Sequence, residues 1–203
     1  CKNVYISIRQ CESQLEAALQ GDEKPREAFI ARLFKEAKAL YQRNFQVRWP
    51  SQFVKRDPND PHVFLFPISR YPDPEMNDLL KKIIEDAWRV GPWQIKIIND
   101  YEDPQLPHII FQDLSNSNPR VKDHTMFLDI NTPRHEWLFS YTIAHEFGHF
   151  LGFLDSYIEL VGKEDRSLLY YNLDQDNIMS ARTGRVLEEH FLELDRAYRR
   201  SPN

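Results

Sequence analysis

The residues from His145 to Asp155 read HEFGHFLGFLD, with two histidines four positions apart and a glutamate directly after the first. On a helix of 3.6 residues per turn, positions i and i+4 share a face, so His145 and His149 can turn both imidazoles onto one ion at roughly 2.0–2.1 Å. Glu146 is rotated about 100° aside. That keeps it from competing as a ligand and leaves its carboxylate where a general base for an attacking water belongs. A catalytic zinc takes three protein donors and keeps one position open, so a third ligand is needed, and Asp155 is the candidate. On an unbroken helix Asp155 would lie about 9 Å beyond His149 along the axis and could not reach the ion. The helix must end first. Gly152 stands where that end is required, because glycine takes a left-handed terminating conformation without a side-chain penalty. The expected site is one Zn2+ on His145, His149 and Asp155, with Glu146 catalytic.

Other readings of these residues stay open at this point. Two histidines and a glutamate at this spacing also occur as a charged helical turn, but that leaves the imidazoles to be satisfied elsewhere and accounts for neither Gly152 nor Asp155. A zinc enzyme could take its third ligand from Glu159 or Glu164, which requires a helix through those residues, where the apolar pattern is poor. A non-catalytic protein-binding module could keep the metal as scaffold. The intact Glu146 argues against that, since a structural site has no need of a base beside the ion.

The elements that must position these side chains can be read from periodicity. Asn131 or Thr132 can cap the metal-bearing helix, with Pro133 at its first position and Trp137, Phe139, Ile143, Ala144, Phe147 and Leu151 on its apolar face. Upstream, 62–68 reads as a strand, and Asp73 and Pro74 open a helix that Gly91 and Pro92 stop. Segments 93–98, 107–111 and 125–130 then read as strands. Downstream come an irregular stretch over 156–176, a tight segment over 177–180 and a closing helix over 185–200. Helix and strand mix without regular βαβ alternation, which predicts an α+β fold. Ahead of all this, 11–20 and 25–43 carry helical spacing, and the polar, proline-bearing loop over 56–61 marks a boundary. The expected organisation is a helical extension over 1–57 and a catalytic domain over 58–203.

Length and composition narrow the function classes. The chain has 203 residues, 41% of them hydrophobic, and 26 basic against 31 acidic residues. That suits one domain with a real core plus an extension. No Lys/Arg-rich tract provides a phosphate-binding footprint, which speaks against nucleic acid. The longest apolar runs fall far short of the roughly 20 residues that span a bilayer. Two cysteines, Cys1 and Cys11, give no disulfide framework. A chain that starts at Cys1 resembles a bacterial lipoprotein carrying its lipid on the first cysteine, which implies an extracytoplasmic, lipid-anchored protein; an arbitrary chain boundary or a bridge from Cys1 to Cys11 are the plainer readings. Oligomeric state is not encoded in any pattern here.

The metal motif resembles that of the metzincin clan of metallopeptidases, H-E-x-x-H-x-x-G-x-x-H or the same with a final Asp. This chain has the Asp form, similar to snapalysin-type enzymes. The clan also has a methionine in a tight turn below the metal, and Met179 in Asn177-Ile178-Met179-Ser180 resembles it; without the long motif it would read as a buried methionine. The resemblance implies a mixed twisted sheet with an active-site helix, Met-turn and C-terminal helix, and hydrolysis of peptide bonds in proteins or peptides. It also implies a substrate lying along an edge strand. By order that strand is 125–130, making Thr125, Met126, Phe127 and Leu128 substrate-binding residues. A tyrosine that some members place two positions after the methionine is here Ala181. Residues 1–57 fall outside the resemblance and read either as a packing element or as a latency segment lending Cys11 or Asp22 to the zinc, Gly21-Asp22 otherwise being a plain turn. His62, His108, His124, His135 and His190 lack ligand spacing and read as surface or core residues, and Tyr170 and Tyr171 as pocket or core.

Overall fold

The computed structural model describes residues 45–199 other than 48, 101, 116, 162–167 and 173, together with 16, 19, 20, 26–32, 35, 36 and 39. The described residues between 16 and 39 are helical and mostly exposed. Cys1, Cys11, Asp22 and Glu164 lie outside the described residues.

The architecture is α+β, with a mixed sheet, the helix that bears His145 and His149, a tight turn at Met179 and a closing helix in that order. Strand β1 (Lys55–Arg56) pairs antiparallel with β2 (Val63–Pro67), and β2 pairs parallel with β4 (Trp93–Ile98). Helix α1 (Pro74–Ala87) makes the crossover between them. Asp73 caps it, its carboxylate accepting from the backbone N–H groups of Glu75 and Met76, which satisfies donors that have no partner inside the helix. Gly91, at φ +55, then turns the short strand β3 (Arg89–Val90) back onto β4. The second group of strands is β5 (His108–Gln112), β6 (Arg120–Lys122) and β7 (Thr125–Asp129), in the order β5-β7-β6. The Ser69 N–H donates to the Pro107 carbonyl at 2.8 Å, joining the end of β2 to the start of β5.

Helix α2 (Trp137–Phe150) carries the metal motif. It begins four residues later than the sequence suggests, because Asp129 holds the chain in a turn: its carboxylate accepts from the N–H of Asn131 at 3.0 Å and its carbonyl from Thr132 at 3.2 Å. Pro133 therefore opens a turn, not the helix. The apolar face of α2 packs on β2, where Phe66 meets Phe147 edge-on at 5.1 Å and stacks on Phe150 at 5.7 Å. Trp88, fully buried, donates its indole N–H to the Ala144 carbonyl at 3.0 Å and so ties the end of α1 to the middle of α2. Burying a side chain of this size stabilises by at least about 1.5–3 kcal/mol. Helix α3 (Glu188–Tyr198) closes the core with Phe191 and Leu194.

Two expectations need correction here. Over 156–176 the chain is not irregular throughout: β8 (Tyr157–Val161) and β9 (Leu168–Asn172) form an antiparallel hairpin. The strand at 157–161 also removes the helix that a Glu159 ligand would require. Second, a boundary at residue 57 divides a packed unit. Val47 and Val54 are buried in the same core as β2 and α2, and β1 belongs to the sheet. The Val47 N–H donates to Glu193 Oε1 at 2.7 Å, the Ser51 N–H to the Tyr198 hydroxyl at 2.7 Å, and Arg56 pairs with Asp195. These ties run across more than a hundred residues and have no periodic signature, so the loop at 56–61 looks like a boundary only when the sequence is read locally.

Candidate metal centre

His145 and His149 project from one face of α2, and each turns Nδ1 toward a backbone carbonyl: Ile178 O at 2.8 Å for His145 and Phe153 O at 2.9 Å for His149. A carbonyl only accepts, so each Nδ1 carries the hydrogen and each neutral ring presents the bare Nε2 lone pair. Ligand atoms of His145, Glu146 and His149 come within 4.8 Å of one another, a grouping able to hold a metal ion.

The helix then ends as the glycine predicts. Gly152 adopts φ +91, its N–H bonds His149 O at 3.0 Å, and the Phe153 N–H bonds Gly148 O at 3.1 Å. This is the paired terminating pattern of a Schellman motif. Beyond it the Ser156 N–H donates to Met179 O at 2.7 Å and its carbonyl accepts from Ser180 Oγ at 2.8 Å. Asp155 is thereby turned back, its Oδ1 lying 3.1 Å from His145 Nε2 and 3.4 Å from His149 Nε2.

Three acceptors thus face one point. Asp155 Oδ1 and Glu146 Oε2 are both buried without a hydrogen-bond donor, a costly arrangement unless a cation completes it. With Nδ1 committed, a ring could offer Asp155 a hydrogen only by taking a second proton. The residues therefore fit a metal ion on two imidazole nitrogens and one carboxylate oxygen. Burial works to raise the Asp155 carboxyl; were His145 and His149 to take a second proton, their hydrogen bonds and charge would outweigh burial and hold it well below the usual carboxylate range. Burial pushes the Glu146 carboxyl up. A carboxylate so raised is a stronger base at neutral pH.

Met179, 1% exposed, lies against Gly148 of α2. Asn177 builds its turn: the side-chain Oδ1 accepts from the Met179 N–H at 2.7 Å, and the carbonyl accepts from Ser180 at 2.9 Å and Ala181 at 3.0 Å. His190 Nε2 bonds the same Oδ1 at 3.0 Å while its Nδ1 accepts from the Leu187 N–H at 3.0 Å. A side chain at Gly148 would collide with Met179 Sδ, so the small residue in the motif is what lets the turn sit against the helix. The Tyr141 hydroxyl bonds Ile178 O at 3.1 Å, sharing the carbonyl that orients His145, and burial pushes its pKa up to about 12.

No protein-family model matches the chain, and no curated protein matches it. Among solved structures it is similar to that of myroilysin, with 14% identity over 68% of this chain and 94% of that one and a TM-score of 0.41. A likeness at that level does not bear on the chemistry, which rests on the residues themselves.

The cleft over the site has a volume of about 440 Å³, and besides the motif residues it is lined by Pro119, Arg120, Val121, Trp49, Leu154 and Tyr157. This corrects the expected substrate strand. β7 lies between β5 and β6, so its backbone is paired on both sides, and Thr125, Met126 and Leu128 are buried. The edge that borders the cleft is β6. Its three residues follow Pro119 and lack the alternation of a longer strand, so sequence alone did not reveal it. The bond from His190 to Asn177 and the place of Trp49 in the cleft lining were likewise hidden, since both depend on contacts between segments apart in sequence.

Proposed function

We propose that the protein is a zinc-dependent peptidase of the metzincin type, holding one Zn2+ on His145, His149 and Asp155. The observation that carries the reading is the convergence of three acceptor atoms on one point, with both imidazole tautomers set by carbonyls and a raised, donor-less carboxylate beside them. When bound, the ion supplies a Lewis acid for the scissile carbonyl and acidifies water. Glu146 takes the proton of the attacking water and hands it to the departing amine, the role its position and raised pKa suit. Ile178 O and Phe153 O keep the imidazoles in the ligating tautomer through the cycle. An extended peptide adds to the outer edge of β6 by backbone hydrogen bonds, which orients the bond to be cut over Glu146. Proteins and peptides are the substrate class. No described helix is long and apolar enough to cross a membrane.

The deciding experiment is cleavage of a denatured protein by the zinc-loaded chain and by its Glu146→Ala variant, with bound zinc quantified in both. The expected result is one zinc in each and cleavage by the parent alone. Zinc in both with cleavage by neither, across a broad substrate panel, would return the site to a binding role. Absence of zinc from both would refute the ligand set.

A further inference from the structure

Part of the cleft lining, Trp49, comes from a segment that the sequence places outside the catalytic unit. Trp49 is 71% exposed, so the chain forgoes most of the stabilisation that burying an indole would bring. Its neighbours are not free to move. Two residues before it, Val47 is 3% exposed and held through its N–H by Glu193, which Arg196 grips in turn at 2.6 Å. Two residues after it, the Ser51 N–H donates to the Tyr198 hydroxyl, which donates onward to Leu151 O at 2.9 Å. The Trp49 carbonyl lies against Gly152, 3.1 Å from where a side chain there would begin. An exposed indole on a backbone anchored on both sides offers a large contact area at small entropic cost, the property that makes tryptophan prominent in binding surfaces.

Arg120 lines the same cleft, its guanidinium 5.0 Å from the Phe127 ring centre and bonded to Ser117 Oγ and Asn118 O at 3.2 Å. One cleft is therefore lined by residues of the β6 edge, by the apolar side chains of Trp49 and Leu154 and by His145, His149 and Asp155. We propose that Trp49 is a specificity-determining residue that favours peptides with a large apolar or aromatic side chain close to the scissile bond. This rests on the peptidase reading.

The test uses peptide pairs that differ only in Phe or Ala at positions flanking the scissile bond, read in two ways. Cleavage is followed with the zinc-loaded parent, Trp49→Ala and Trp49→Phe. Binding is followed by calorimetry on zinc-loaded Glu146→Ala with and without Trp49→Ala. The preference for Phe over Ala, expressed as a ratio of kcat/KM, is expected to fall about tenfold in Trp49→Ala, chiefly through KM, and to be kept in Trp49→Phe; the binding preference should fall in parallel. A loss spread evenly over all peptides, an unchanged preference, or no measurable binding would overturn the assignment. If neither the parent nor Glu146→Ala cleaves yet Phe peptides still bind in a Trp49-dependent way, the peptidase reading fails while the role of Trp49 stands. If the parent cleaves without regard to Trp49, that role alone fails.

Discussion

Replacing Gly152 by alanine probes the step on which the whole site depends, the reversal that brings Asp155 back to the imidazoles. Gly152 sits at φ +91, and a β-carbon there would meet Val47 Cγ1 at 2.9 Å and Trp49 O at 3.1 Å. The positive φ costs alanine about 1–2 kcal/mol. Crowding against a buried valine and a backbone carbonyl costs about 1–3 kcal/mol more. Loss of unfolded-state freedom returns about 0.4–1 kcal/mol. The net destabilisation is about 1–5 kcal/mol, which for a chain of this size lowers the thermal midpoint by roughly 2–20 °C. Gly91 provides the control, since it has φ +55 and a β-carbon added there would find nothing within 4 Å. Gly91→Ala meets only the backbone penalty, and its net cost stays near about 1 kcal/mol. Thermal unfolding by circular dichroism compares the two variants, and chelator competition measures zinc affinity, expected to weaken roughly 10–100-fold in Gly152→Ala as for other changes that disorient a ligand. Equal midpoints for the two variants would refute the crowding argument. Unchanged zinc affinity would refute the claim that this turn aims Asp155.

Gly148→Ala is expected to cost about 1–3 kcal/mol by driving Met179 from its seat against α2, measured by urea unfolding; a double change with Met179→Ala should cost less than the sum, because the clash partner is gone. His190 has its pKa lowered to about 4 from an ordinary value of 6.5, first by burial. The unfolded chain then takes up a proton near pH 6.5 while the folded one resists, so stability present above that pH falls as pH drops toward 4, by at most about 3 kcal/mol. Urea titrations between pH 7 and 4 should show that part of the slope missing in His190→Gln. Removal of residues 1–44 is expected to leave a cooperative thermal transition, whereas removal of 1–57 should abolish it by deleting Val47, Val54, β1 and the Arg56–Asp195 pair. Scanning calorimetry separates the two, and activity that rises on removal of 1–44 would assign that segment to latency.

The approach of His145, Glu146 and His149 to one another was legible in the sequence because four-residue spacing on a helix is a local rule that no tertiary contact needs to enforce. The same holds for the break at Gly152, the Asp73 cap, the strand at 93–98 and the α+β class, all of which follow from short-range backbone preferences and periodicity. Other features were decided only by the folded chain. The cleft is bordered by β6 and not by β7, because strand order depends on which backbone edges find partners and leaves no trace in the residues of either strand. Asn177 and His190 build the methionine turn together from thirteen positions apart, and Trp49 reaches the metal cleft because Glu193 and Tyr198, nearly 150 residues later, hold its flanks. Such contacts couple segments with no shared period. They arise from the free energy of burying Val47 and satisfying its backbone, and that free energy is defined only once α3 has closed over the core.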